Sequence, residues 1–179
     1  MVLPLSHWKK LYQELKHQAL CIDVEATYWD GPISVIGVYR PKDGEIEYYS
    51  FVRGVNLTPE NLKQIFTGCK LLITFNGMNY DVPEIEKQFP GVLPKNIPVI
   101  DLYLLARNLN LDTNLKVLEK TFNIFRLESV DNKRRISTKL WRKYEQKKNQ
   151  RALNMLIEYN RQDTINLYPL AEKIMEMIK

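Results

Sequence analysis

The chain has 179 residues and a mass of 21.2 kDa; 45% of the residues are hydrophobic, 26% are charged, and there are 7 Gly and 9 Pro. This excludes collagen-like, low-complexity and wholly disordered classes, which cannot bury enough apolar surface to offset the entropy of ordering. The length fits one globular domain at the usual ~100–200 residues, and the net charge of +5, with a pI of about 9.1, points to an anionic partner.

In chain order, residues 6–17 read as a short amphipathic helix, with Trp8, Leu11, Tyr12 and Leu15 at helical spacing. ALCIDVE (19–25) alternates Leu20, Ile22 and Val24 with Cys21, Asp23 and Glu25, the pattern of a central strand. ISVIGVY (33–39) and EIEYYSFV (45–52) are β-branched and aromatic, and PKDG between them predicts a hairpin. Thr58 followed by Pro59 is an N-cap with proline at the first helical position, opening a helix to Phe66. KLLITF (70–75) is a strand, and NGMNYD leads into a helix over 82–89. PVID (98–101) predicts a short strand before helix 102–108, followed by a helix over 114–122, a basic helix from 137, and a last helix from Ala152 with Pro169 as its kink. The result is an α/β fold: a mixed central sheet, antiparallel hairpin plus parallel strands, flanked by helices. With no internal repeat or linker, residues 1–179 read as a single domain, 1–18 forming an N-terminal helical extension.

The charge is concentrated. Residues 129–151 hold nine basic and two acidic side chains, a net of +7, whereas the remaining 156 residues carry a net of −2. Trp141 and Tyr144 interleave with these cations, a composition suited to a phosphate backbone and stacked bases, although a solvated helix face has the same charge pattern. Cys21 and Cys69 define neither a disulfide framework nor a zinc spacing and read as buried and reduced. The opening MVLPLSHWKK meets charge too early for a signal peptide, and no apolar run approaches the ~18 residues that span a bilayer, so a soluble cytoplasmic protein without membrane contact is expected.

Three carboxylate motifs carry chemistry. Asp23 and Glu25, two apart on a strand, share one face; their repulsion would force protonation unless a cation neutralises them, and hard oxygen ligands suit Mg²⁺ or Mn²⁺. FNGMNYDVP (75–83) places Asp81 at a helix start, where a plain cap is the alternative role. YNRQD (159–163) sets Tyr159 and Asp163 four apart, on one helix face.

In this order, D-x-E, N-G-x-x-Y-D and Y-x-x-x-D resemble the DEDD superfamily of 3′–5′ exonucleases, in its tyrosine-bearing branch. IDLYLLARNL around Asp101 and Arg107, and YNRQDTINL at the end, are also similar to predicted exonucleases with a ribonuclease-H-like domain. The likeness spans residues 19–172. The histidine branch is excluded on this alignment, because Glu158 stands where its histidine would be. The resemblance implies a ribonuclease-H-like fold and a metal-dependent hydrolase acting on single-stranded 3′ ends of DNA or RNA. Asp23, Glu25, Asp81 and Asp163 would hold two divalent cations, Mg²⁺ or Mn²⁺: Asp23 bridging, Glu25 and Asp163 on the nucleophile side, Asp81 on the leaving-group side. Tyr159 would orient the attacking water. Val24, Ala26, Asn76, Arg134, Arg135, Lys139 and Arg142 are the expected substrate contacts, Asn76 alternatively stabilising its turn. Asp101 reads as a structural cap for helix 102–108. The Thr-Gly that follows the acidic pair in many relatives is here Ala26, Thr27, Tyr28 and Trp29, of which the two aromatics either stack on a base or join the core. A ribonuclease-H-like endonuclease and a non-catalytic nucleic-acid-binding module are the competing readings.

Overall fold

The computed structural model describes residues 4–28, 31–42, 45–127 and 136–179. Trp29, Arg134 and Arg135 therefore lie outside the described residues. Helix α1 (Leu5–Leu15) and a 3₁₀ turn (Lys16–Gln18) lead into β1 (Ala19–Ala26), which is followed by β2 (Ile33–Lys42) and β3 (Glu45–Val52). Next come α2 (Pro59–Phe66), β4 (Leu71–Thr74), α3 (Asp81–Gln88), β5 (Val99–Asp101), α4 (Leu102–Asn108) and α5 (Leu115–Thr121). The described chain ends with α6 (Ile136–Lys147), α7 (Gln150–Ile165) and α8 (Leu167–Met177).

The strands form one five-stranded mixed sheet in the order β3-β2-β1-β4-β5. β1 is central, as its alternation of apolar residues predicts, and pairs antiparallel with β2 and parallel with β4. Leu20, Ile22 and Val24 pack with Leu62, Phe66 and Ile85 beneath α2 and α3. Ala19 and Cys21 face the opposite way, onto a cluster with Leu102, Leu105, Leu170 and Ile174 of α4 and α8. Period-2 alternation along one strand thus feeds two cores, and Asp23 and Glu25 continue the Ala19–Cys21 face toward the strand's end. A register shift between Glu25 and Ala26 ends regular pairing beside that acidic pair.

Local signals explain several boundaries. Thr58 caps α2 by accepting the Asn61 N–H, with Pro59 at the first helical position. α1 is integral to the core: Tyr12 is 2% exposed, and its hydroxyl donates to Glu172 on α8 at 2.6 Å.

Two expectations are corrected. The last helix breaks at Asn166, not at Pro169; Asn166 ends α7 and begins α8, and its side chain is drawn sideways onto Glu119 and the Phe125 carbonyl. Pro169 sits in the first turn of α8, where a missing N–H costs nothing. Trp141 is not a stacking surface for bases. It is 4% exposed and packs with Val35, Val52, Leu153 and Leu156, and Tyr144 leans on it at 5.4 Å between ring centroids. A basic amphipathic helix buries its aromatic stripe and shows its cations to solvent. Lys139 and Arg142 are on that exposed side.

Candidate active site

β1 and α7 build the site between them. Asp23 pairs with Gly37 on β2, and a side chain at position 37 would overlap Asn160 and Thr164 of α7. Only glycine lets the helix press this closely onto the sheet. Asp163, one turn beyond Tyr159, is thereby brought onto the Asp23–Glu25 face. One carboxylate oxygen from each of Asp23, Glu25 and Asp163 lies within 4.8 Å of the others. Three oxygen donors at this spacing fit a hard divalent cation.

The electrostatics support that fit. Burial pushes the Asp23 carboxyl well above its ordinary range, and Glu25, Asp163 and Asp81 push it further. Burial and the Asp163 charge lift Glu25 to about 8, against a lowering hydrogen bond from Ser137. Asp163 is also raised by burial, against the pull of Arg126 and Lys116. A divalent cation could bind this cluster and would relieve the repulsion that raises its carboxyls.

Asp81 joins from a third element. At the first residue of α3, its Oδ1 accepts the Val24 N–H at 2.7 Å, tying the helix start to the backbone between Asp23 and Glu25. Burial lifts this carboxyl to about 7. Its ligand oxygens are not among the three that meet within 4.8 Å. Gly77 makes room for it, since a Cβ there would lie 2.9 Å from Asp81 Oδ2. Asn76 has φ +61°, its N–H donates to Asp101 Oδ1 at 2.8 Å, and its side chain accepts from Asn79. Asp101 also accepts from Met78 and caps α4 through Tyr103, each at 3.1 Å, the structural role expected of it.

The Tyr159 ring lies under the Lys116 ammonium, 4.6 Å from the ring centroid, and its hydroxyl accepts from Lys116 Nζ at 3.1 Å. Burial and the charges of Asp163, Glu25 and Asp23 raise the Tyr159 phenol above its ordinary value. Tyr28 is 59% exposed, on the solvent side of the stretch after Ala26.

Several side chains at this site carry no signal in sequence. Asn160 Nδ2 donates to Asp23 Oδ2 at 2.7 Å and to the Asp23 carbonyl, and Asn160 Oδ1 accepts from Tyr48. Asn160 is inside the YNRQD motif, but Tyr48 lies more than a hundred residues away on β3. Arg126 bridges Glu119 and Asp163, and Ser137 ties the first turn of α6 to Glu25. These contacts cross between elements, so neither periodicity nor motif spacing encodes them.

A family model described as the RNase_H superfamily matches residues 20–175. The chain belongs to the RNase H superfamily. Its mixed sheet with flanking helices is the ribonuclease-H-like fold, and the acidic cluster lies within the matched region. A family B DNA polymerase from the hyperthermophilic archaeon Pyrobaculum calidifontis is similar in structure, with a TM-score of 0.63 and 13% identity over 88% of this chain and 24% of that one. The chain thus spans about a quarter of that polymerase. The EXD2 exonuclease domain, in a crystal soaked in Mn and Mg, matches at 18% identity over 94% of this chain and 87% of that one, with a TM-score of 0.36. No curated protein matches the chain. Among the described residues, no helix of this RNase H superfamily member is long and apolar enough to cross a membrane.

Proposed function

We propose that the chain is a 3′–5′ exonuclease of the tyrosine-bearing DEDD branch, releasing nucleoside 5′-monophosphates from single-stranded DNA or RNA ends. The observation that carries this reading is the convergence of Asp23, Glu25 and Asp163 within 4.8 Å, with Tyr159 one helical turn before Asp163. Membership of the RNase H superfamily supports it. The two divalent cations implied, held by Asp23, Glu25, Asp163 and Asp81, would neutralise developing charge on the attacking and leaving oxygens of a phosphodiester. Tyr159 stays protonated at neutral pH, its phenol being raised by burial, so it orients water rather than serving as a base. Asn160 holds the Asp23 carboxylate in place, and the Val24 and Ala26 backbone, apart from the Val24 N–H that Asp81 engages, would meet the terminal nucleotide. Lys139 and Arg142 on α6, and Arg134 and Arg135 before it in sequence, would guide the strand, a reading supported by the influence of Ser137, in the first turn of α6, on Glu25.

The test is incubation with a 5′-labelled linear single strand and a circular single strand, in Mg²⁺ or Mn²⁺, with and without chelator. A single-nucleotide ladder from the linear strand beside an intact circle supports the exonuclease. Cutting of the circle replaces it with an endonuclease, and binding without metal-dependent cleavage leaves a nucleic-acid-binding module.

A further inference from the structure

We infer that Arg126, gripped by Glu119, is a positioning residue that presents Asp163 to a divalent cation in one fixed orientation. The inference rests on the reading of Asp23, Glu25 and Asp163 as cation ligands. Arg126 lies beyond α5, with its side chain 13% exposed. Its Nε and Nη2 donate to the two Glu119 oxygens at 2.6 and 2.7 Å, and Nη2 also donates to Asp163 Oδ1 at 2.5 Å.

The grip has no slack. Glu119 is 1% exposed and accepts a further hydrogen bond from Asn166 Nδ2 at 2.9 Å. The backbone on either side of Arg126 is fastened to α7 and its end, because the Phe125 carbonyl accepts from Asn166 and the Leu127 N–H donates to Gln162. A planar guanidinium can satisfy one carboxylate with two parallel bonds and still address another, which a lysine cannot do.

The charge count decides what this arrangement does. Glu119 and Arg126 cancel, so beside the cluster that Asp163 shares with Asp23 and Glu25, the Lys116 ammonium remains as a counter-charge. Neutralising Asp163 would need the arginine alone; the buried Glu119 restores the negative charge that the arginine removes. What remains is geometry: Arg126 holds Oδ1 and so fixes the carboxylate that brings one oxygen within 4.8 Å of those of Asp23 and Glu25. Partners that hydrogen-bond a metal's ligands typically cost about 10–100-fold in metal affinity when they are lost.

The experiment is a Mn²⁺ titration of the full chain without nucleic acid, read by the electron paramagnetic resonance of free Mn²⁺, on wild type, Asp163→Asn, Arg126→Lys and the double variant Glu119→Gln with Arg126→Gln. The double variant removes one charge of each sign, so the net charge of the site is unchanged. Its Mn²⁺ affinity is expected to fall about tenfold with the circular-dichroism spectrum of the wild type retained, and that of Arg126→Lys about threefold. Wild-type affinity in a folded double variant overturns the inference; should that variant not fold, wild-type affinity in Arg126→Lys overturns it. If wild type binds no Mn²⁺, or Asp163→Asn binds it equally well, the cation reading itself falls, a result distinct from either of these.

Discussion

Asp81 and Asp101 both stand where a helix begins after a parallel strand, Asp81 as the first residue of α3 and Asp101 as the last residue of β5 and the N-cap of α4, and they are held differently. Asp101 accepts from the backbone of Asn76, Met78 and Tyr103, so its carboxylate fastens a loop and caps α4. Asp81 accepts the Val24 N–H from the strand that carries Asp23 and Glu25, and burial lifts its carboxyl to about 7. Asp101, satisfied by three backbone donors, does structural work, whereas Asp81 is the carboxylate that the proposed function gives to a cation.

The strongest way to break this comparison is to remove charge from each region. Asp163→Ala should abolish metal-dependent hydrolysis, and Asp81→Asn should lower kcat by about 100-fold or more while the fold is retained. Full activity of either variant on a labelled strand would refute the site assignment. Tyr159→Phe, which keeps the ring beneath the Lys116 ammonium but loses the hydroxyl and its hydrogen bond from Lys116, should cost about 100-fold in kcat with little change in melting temperature. Asp101→Ala should behave oppositely. It leaves backbone donors unpaired and should cost about 2–3 kcal/mol of stability in urea unfolding.

A pH series sharpens the contrast further. With Asp81 lifted to about 7 and Glu25 to about 8, the native chain binds more protons than the unfolded chain from about pH 4 up to those values. Stability therefore falls as pH rises through that window. Calorimetry in chelator should show the melting temperature dropping between pH 5 and 8.5, with Mn²⁺ restoring it at the upper end. Asp81→Asn should be more stable than wild type at pH 8 without metal, because a buried charge has gone. The smallest effect belongs to α6: Lys139→Ala with Arg142→Ala should weaken strand binding severalfold and reduce its salt dependence without changing stability.

Much of this was legible in the residues. The alternation of Leu20, Ile22 and Val24 in 19–25 marks a central strand, Thr58-Pro59 marks a helix start, and two of the three acidic motifs carry the carboxylates that meet, the third supplying Asp81. What was hidden has a common physical cause. The Glu119–Arg126–Asp163 bridge, the Tyr48–Asn160–Asp23 chain and the Ser137–Glu25 bond join distant elements, and a charged or polar residue in isolation does not announce its partner. Trp141 misled for a related reason: an aromatic among cations has the same local pattern whether it faces a base or a core. The break at Asn166 follows from side-chain bonds to Glu119 and Phe125, where the sequence offered only a proline three residues on.

Gly37 has a consequence beyond close packing. The missing side chain opposite Asp23 sets the gap between β2 and α7, and α7 carries Asp163 to the Asp23–Glu25 face. Position 37 is therefore a gauge of how far apart the carboxylates stand, although it contributes no donor atom. A single methyl there would displace the Asn160 and Thr164 side chains, and with Asn160 the hydrogen bond that holds the Asp23 carboxylate, from a strand that carries none of the acidic residues.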